Sequence, residues 1–405
     1  MSGMSIAMFL ETLSVSNGVS RVALALSEQF VKRGHEVHLY SSVNRLRDGR
    51  ARYPDPRMNF HWLPSLRGSW RTWSLPLGAL LPALLLPMGA RLPAKFGMLR
   101  RRHDVIVSHA LTLNQDVVQM HNDPQALEEQ KLSQVPFVVD PPRLSSPRRT
   151  LRAAVERMRF ASGNYRSVVA HSRRSALEIS SAFGIPESRI DVIPHGVDSS
   201  YFCPSIAAGQ RVGLRRQLGL GLEDVVYLYI GDSWKGLEFA IQGMSRLPAS
   251  ARAVLLAAGP FPRPPFVRFA RERGVRFLCE NLWDDVRSLY SVADVLLTPT
   301  PLDTFFLVGL EAMSMRLPVI TTQFAGLSEL LTQGENAIIL ESASDPAPIT
   351  EACRRLLEPD VRLRMADKAR QFAVTRTWED SALLHLRHYA ALRGGSRAAH
   401  GVVPS

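Results

Sequence analysis

Cysteine is scarce in this chain: 405 residues hold three, Cys203, Cys279 and Cys353, and no two are spaced as a CxxC metal or redox site. A disulfide framework is thereby excluded, and a reducing compartment is expected. Lysine is scarce too, at five residues, so each one stands out against the arginines. No apolar run reaches the roughly twenty residues that a membrane-spanning helix needs. The longest, Leu75–Ala90, has sixteen and contains Pro76, Pro82 and Pro87. No secretory signal is expected, because Met4–Leu10 is soon broken by Glu11 and a Gly/Ser loop. There is no Asp-x-Asp metal pair, since Asp284 and Asp285 are adjacent and point to different faces.

What is present fits a soluble globular protein, with 46% hydrophobic and 21% charged residues. The length predicts two domains. The net charge of +12 is uneven: residues 1–198 carry +10 and residues 199–405 carry +2. A basic half attracts anionic surfaces, although a solvated face with no specific partner explains it equally well. The basic residues are not interleaved with aromatics, so no nucleic-acid partner is expected.

Strand and helix alternate along the whole chain. Strands are predicted at 6–10, 37–40, 105–107, 117–120 and 168–170. A helix is predicted over 19–33, with Val22, Ala23, Leu26 and Phe30 at helical spacing and Gly34 at its end. The turn Pro194-His195-Gly196-Val197-Asp198 marks a boundary, and a second series starts at Val225. Its strands are predicted at 225–230, 253–258, 275–278, 295–297, 319–320 and 337–340. Continuous apolar strands alternating with helices argue for parallel sheets covered on both faces. The predicted division is an N-terminal domain over 1–198, a C-terminal domain over 199–378, a helix over 379–393 that returns to the first domain, and a disordered tail over 394–405. The apolar run at 75–90 is flanked by Trp70, Trp73 and several arginines, a pattern that suits a membrane interface or an apolar helix pair beside an acceptor.

The most informative block is Thr298–Met313. Asp303 follows an apolar strand and precedes a helix, and Glu311 lies eight positions further on. Ligands of open α/β sheets bind beyond the carboxyl ends of strands, and free amides at a helix start favour an anion such as a diphosphate. Two carboxylates nearby can accept hydrogen bonds from hydroxyls of the same ligand.

Together with Gly18, the Pro194–Asp198 turn and the Lys235-Gly236 pair, this block resembles the retaining glycosyltransferases of family 4, over roughly residues 5–392. The similarity is greatest to bacterial members that glycosylate envelope lipids and lipopolysaccharide core. The resemblance implies an α/β GT-B fold: two facing Rossmann-like domains with parallel sheets. It also implies metal-independent transfer from a nucleoside-diphosphate sugar to a glycan or lipid-linked acceptor, with no cofactor. Glu311 is implied to bind ribose hydroxyls, Asp303 the donor sugar, and Lys235 the departing diphosphate. Thr304, Phe305, Phe306, Leu307 and Val308 complete the implied donor site, together with Gly18. His109 is implied to contact the donor sugar, with His121 competing for that role and Asn17 beside it on the acceptor side. The expected location is cytoplasmic, with peripheral contact through residues 64–103 on an anionic membrane. Plainer roles exist for each: a capping lysine, a solvated helix acid, structural histidines, a tight turn at Gly18.

Departures from the family pattern are also visible. Phe306 replaces a glycine and is expected to crowd the diphosphate amides. Asn17 stands for a loop glycine, and Asp232 and Trp234 occupy the region where an arginine is usual. These changes keep two alternatives open: a non-catalytic GT-B protein that binds sugar nucleotides, or another GT-B enzyme such as a sugar-nucleotide epimerase or a retaining phosphorylase.

Overall fold

The computed structural model describes residues 3–14, 17–44, 55–63, 102–161, 165–280 and 285–394. The segment expected at a membrane (64–103, apart from its last two residues), Asp284, and the tail beyond Gly394 lie outside them. The chain divides into two compact units. Unit 1 comprises 1–127, 145–195 and 378–405, and unit 2 comprises 128–144 and 196–377.

Unit 1 is built on β1 (Ser5–Leu13), β2 (Glu36–Asn44), β3 (Asn59–Trp62), β4 (Val105–Ser108), β5 (Val117–Gln119), β6 (Ser167–Ala170) and β7 (Ile190–Val192). All pairings are parallel, in the order β3-β2-β1-β4-β5-β6-β7. The short strands β3 and β7 have no continuous apolar run, and only the structure reveals them. The first helix, Gly18–Lys32, packs against the final one, Trp378–Arg393, with the Phe30 and Tyr389 rings edge to face at 6.0 Å. The final helix is tied down further by Ser381 Oγ, which donates to the Pro194 carbonyl at 2.8 Å, and by His388, 2.6 Å from Ser167 Oγ. The last helix therefore belongs to the first sheet's unit.

Unit 2 holds β8 (Val225–Ile230), β9 (Ala253–Ala258), β10 (Phe277–Glu280), β11 (Val295–Leu297), β12 (Val319–Thr322) and β13 (Ala337–Leu340). These are again parallel, in the order β10-β9-β8-β11-β12-β13. The central strands are buried along their whole length, as their apolar runs require. Residues 128–144, far away in sequence, group with this unit. Val138 and Val139 donate their amides to the buried Glu238 carboxylate at 2.9 and 3.0 Å, and Phe137 packs its ring on Phe239. Ser233 Oγ donates to Asp140 at 2.5 Å.

In each sheet the strand order reverses once, between β1 and β4 and again between β8 and β11. The connections after those paired strands run to opposite sides and leave a crevice at the carboxyl ends. The base of the second reversal is held by Asp294, just before β11. It accepts from Arg211 and Arg215 at 2.6 Å each and from the Val226 amide of β8 at 2.8 Å. Arg215 is 1% exposed, so losing its carboxylate strands a buried cation. Asp294→Ala is expected to lower the stability of unit 2 by about 3–5 kcal/mol, read from the urea midpoint. A loss within error of zero would show that this network is dispensable.

Candidate functional site

The loops after β8 and β11 meet at the reversal in unit 2. Gly236 has φ +99°, and a Cβ there would stand 2.2 Å from the Pro299 carbonyl oxygen, so only glycine fits. This close approach gives the Lys235-Gly236 pair a steric reason: it seats the β8 loop directly on the β11 loop. Lys235 Nζ then reaches Asp303 Oδ2 at 2.5 Å, although 68 residues separate them. The pair is partly open, with side chains 25% and 12% exposed. The other Asp303 oxygen accepts from the Phe305 and Phe306 amides at 3.1 and 2.6 Å, which fixes the carboxylate. Lys235 also stands 5.5 Å from the Trp234 ring centre. Burial raises the Asp232 carboxyl pKa, and the Lys235 charge opposes that rise.

The helix Leu307–Ser314 starts beside this pair with no side-chain cap. Leu307 and Val308 lie half-buried in its first turn, behind the buried Thr304. Phe305 and Phe306 are both 2% exposed and sit in the apolar core. This corrects the expectation that Phe306 crowds the amides. Its backbone takes the left-handed conformation that the family's glycine permits (φ +77°), and its ring turns inward. Gly309 makes room: a Cβ there would meet the Phe306 ring at 2.4 Å. Glu311 is buried and accepts from Tyr290 Oη at 2.9 Å, so it is no solvated helix acid.

A second set of predicted residues gathers at the reversal in unit 1. A cavity of about 260 Å³ is lined by Asn17, His109, His121, Arg152, Glu156 and Arg159, among others. Asn17 caps the first helix, accepting from the Ser20 amide at 3.1 Å. Gly18 needs neither a positive φ nor a close backbone approach, so a tight turn does not explain it. His109 and His121 follow adjacent strands and stack, with Nδ1 of the first 2.8 Å from Nε2 of the second. Burial pushes the His109 imidazole down to about 3, which leaves it neutral.

Three lining residues escape sequence reasoning: Arg152, Glu156 and Arg159, on the helix Pro147–Ala161. Arg159 is buried and donates to Ser108 Oγ at 2.9 Å. The buried Glu156 accepts from the Gln125 amide at 2.9 Å. Their one sequence signal is a charged i, i+4, i+7 row, which reads as an ordinary solvated face.

Comparison with known proteins bears on both units. The model described as Glycosyltransferase Family 4 matches residues 16–201, and that described as Glycosyl transferases group 1 matches residues 224–359. The chain belongs to the family 4 glycosyltransferases. Among curated relatives of this family 4 chain, a D-inositol 3-phosphate glycosyltransferase of Corynebacterium urealyticum is 27% identical, over 56% of each chain. The protein of the same description from Xylanimonas cellulosilytica is 30% identical, over 55% of this chain and 56% of its own. The chain thus spans about half the length of the curated relatives it matches. Among solved structures, WaaG, a glycosyltransferase involved in lipopolysaccharide biosynthesis, superposes with a TM-score of 0.74 at 20% identity, covering 94% of this chain and 98% of that one. Anabaena HepE in complex with UDP and glucose gives 0.68 at 16%, covering 96% and 100%. At these identities the superpositions establish the GT-B fold.

The Phe306 geometry gives a comparison of two variants. Truncating a buried phenylalanine costs about 3–5 kcal/mol, while glycine recovers about 1 kcal/mol of left-handed strain that alanine does not. Phe306→Gly is therefore expected to be destabilising, yet less so than Phe306→Ala, in denaturant unfolding. The reverse order would show that the positive φ is not strained.

Proposed function

We propose that this chain transfers a glycosyl group, with retention, from a nucleoside-diphosphate sugar to a glycan or lipid-linked acceptor in envelope glycolipid or polysaccharide synthesis. The observation that carries the reading is the Lys235–Asp303 pair at 2.5 Å, standing at the strand reversal beside an uncapped helix start. Family membership and the descriptions of the relatives support it.

In this reading the diphosphate lies against the first amides of the helix Leu307–Ser314, and Lys235 swings from Asp303 to it. Asp303, fixed by two amides, accepts from donor-sugar hydroxyls. Glu311, oriented by Tyr290, accepts from the ribose. The bond from the anomeric carbon to the β-phosphate oxygen breaks, and the diphosphate leaves with its electron pair. The acceptor hydroxyl oxygen bonds to that carbon on the same face and passes its proton to the departing phosphate. Lys235 and the helix amides stabilise the charge that develops on the leaving group. That role makes turnover independent of added Mg²⁺. The cavity of unit 1 takes the acceptor, where the polar Asn17 can hydrogen-bond sugar hydroxyls, and the neutral His109 is the contact to a donor-sugar hydroxyl.

No helix among the described residues is long and apolar enough to cross a membrane. The proposed location is cytoplasmic. The basic, tryptophan-bearing segment 64–103 is the proposed peripheral contact with an anionic membrane, on its sequence alone. Anionic but not neutral vesicles should co-sediment with the protein, and equal pelleting with both would rule out a charge-driven contact.

The central test is a thermal-shift screen against UDP-, GDP- and ADP-sugars, followed by assay of released nucleoside diphosphate. One nucleotide class should raise Tm, and Glu311→Ala should abolish most of that shift. Lys235→Ala should lower kcat by about 10²–10³-fold. Binding without turnover would convert the reading to a sugar-nucleotide-binding protein, and no shift with any class would end it.

A further inference from the structure

Four imidazoles stand along one end of the unit 1 sheet. His109 directly follows β4, His121 lies two residues past β5, His171 directly follows β6 and His195 lies three residues past β7. These four strands are consecutive neighbours. Ring centres are 5.0 Å apart for His109 and His121, 4.8 Å for His121 and His171, and 3.9 Å for His171 and His195. One ring nitrogen from each of His121, His171 and His195 lies within 4.8 Å of the other two. A fifth imidazole, His385, comes from the final helix and lies close enough that its charge would oppose charge on His109, His121 and His195.

Hydrogen bonds fix where two of the protons sit. A carbonyl only accepts, so His171 Nδ1 donates to the Ile193 carbonyl at 3.0 Å and His385 Nδ1 donates to the Ser381 carbonyl at 2.8 Å. A neutral imidazole protonated at Nδ1 presents a bare lone pair at Nε2. Both of those Nε2 atoms are buried with no hydrogen-bond partner. Leaving such an atom unsatisfied costs about 1–3 kcal/mol, a penalty that leucine or phenylalanine would not carry.

The bare lone pairs decide the class of occupant. Neutral imidazoles do not attract a phosphate or carboxylate. They do offer lone pairs to a cation of intermediate softness.

We propose that His121, His171 and His195 bind a divalent transition metal of the zinc class. A Zn–N distance of about 2.0–2.1 Å sets tetrahedral ligand nitrogens about 3.4 Å apart, so the side chains draw together by rotation on binding. The outer partners that orient metal-bound imidazoles are in place. The Ile193 carbonyl holds His171, and His109 holds one nitrogen of His121. The metal pins the ends of β5, β6 and β7 to one another. Its role is structural and separate from the diphosphate chemistry assigned to Lys235.

The experiment uses the purified full-length chain, dialysed against a chelator and then titrated with Zn²⁺ or Co²⁺. The expected result is about one ion per chain, a Co²⁺ absorption spectrum of the tetrahedral type, and a higher Tm in the metal-bound form. His171→Gln and His195→Gln should each weaken binding by about 10-fold or more. A folded wild-type chain that takes up neither metal overturns the proposal. So does equal uptake by wild type and the double variant. If the variants fail to fold, the wild-type stoichiometry and Co²⁺ spectrum decide alone. Sugar transfer is not part of the readout, so failure here leaves the proposed activity standing.

Discussion

The structure depends on one constraint of parallel sheets: neighbouring strands need a crossover, and where the strand order reverses two crossovers leave in opposite directions. Each unit reverses once, and each reversal gathers the residues of interest. In unit 2 it brings the β8 loop onto the β11 loop, with Gly236 against the Pro299 carbonyl. Lys235 and Asp303 meet because of that contact, and the helix start with its uncapped amides lies next to them. In unit 1 the reversal between β1 and β4 sets Asn17 near His109 around a common cavity.

Electrostatics follows burial in opposite ways in the two units. Unit 2 keeps the Lys235–Asp303 pair at its reversal partly exposed. Unit 1 buries His109, His171 and His385 and keeps them neutral, so they act through lone pairs and N–H groups rather than through charge. The buried ions that remain, such as Arg215 and Glu238, are saturated by carbonyl, carboxylate or amide partners. They belong to the scaffold of unit 2.

Much of this is legible in the sequence, and the reason differs by element. β8, β9, β11 and β13 fall where their apolar runs place them, because a strand buried on both faces has no freedom to hide polar residues. β3 and β7 are not legible: Asn59-Phe60-His61-Trp62 and Ile190-Asp191-Val192 owe their pairing to the neighbour that accepts them. The strand–loop–helix setting of Asp303 and Glu311 is local and is visible in the pattern. The contact between Lys235 and Asp303 is not, because it depends on strand order, which periodicity does not encode. Phe306 shows a further limit. A substitution pattern suggests crowding, while the backbone keeps the glycine-like φ and the ring finds space over Gly309. Arg152, Glu156 and Arg159 line a cavity from a helix face that looks like any solvated one.

Neither unit is a continuous stretch of chain. The helix Trp378–Arg393 supplies Tyr389, Ser381 and His388 to the packing of the first sheet. During synthesis that sheet therefore waits, with the face against Phe30 incomplete, while the whole of unit 2 is translated. The chain leaves the ribosome with its earliest-made sheet finished last, so the N-terminal half exposes apolar surface until the final helix arrives.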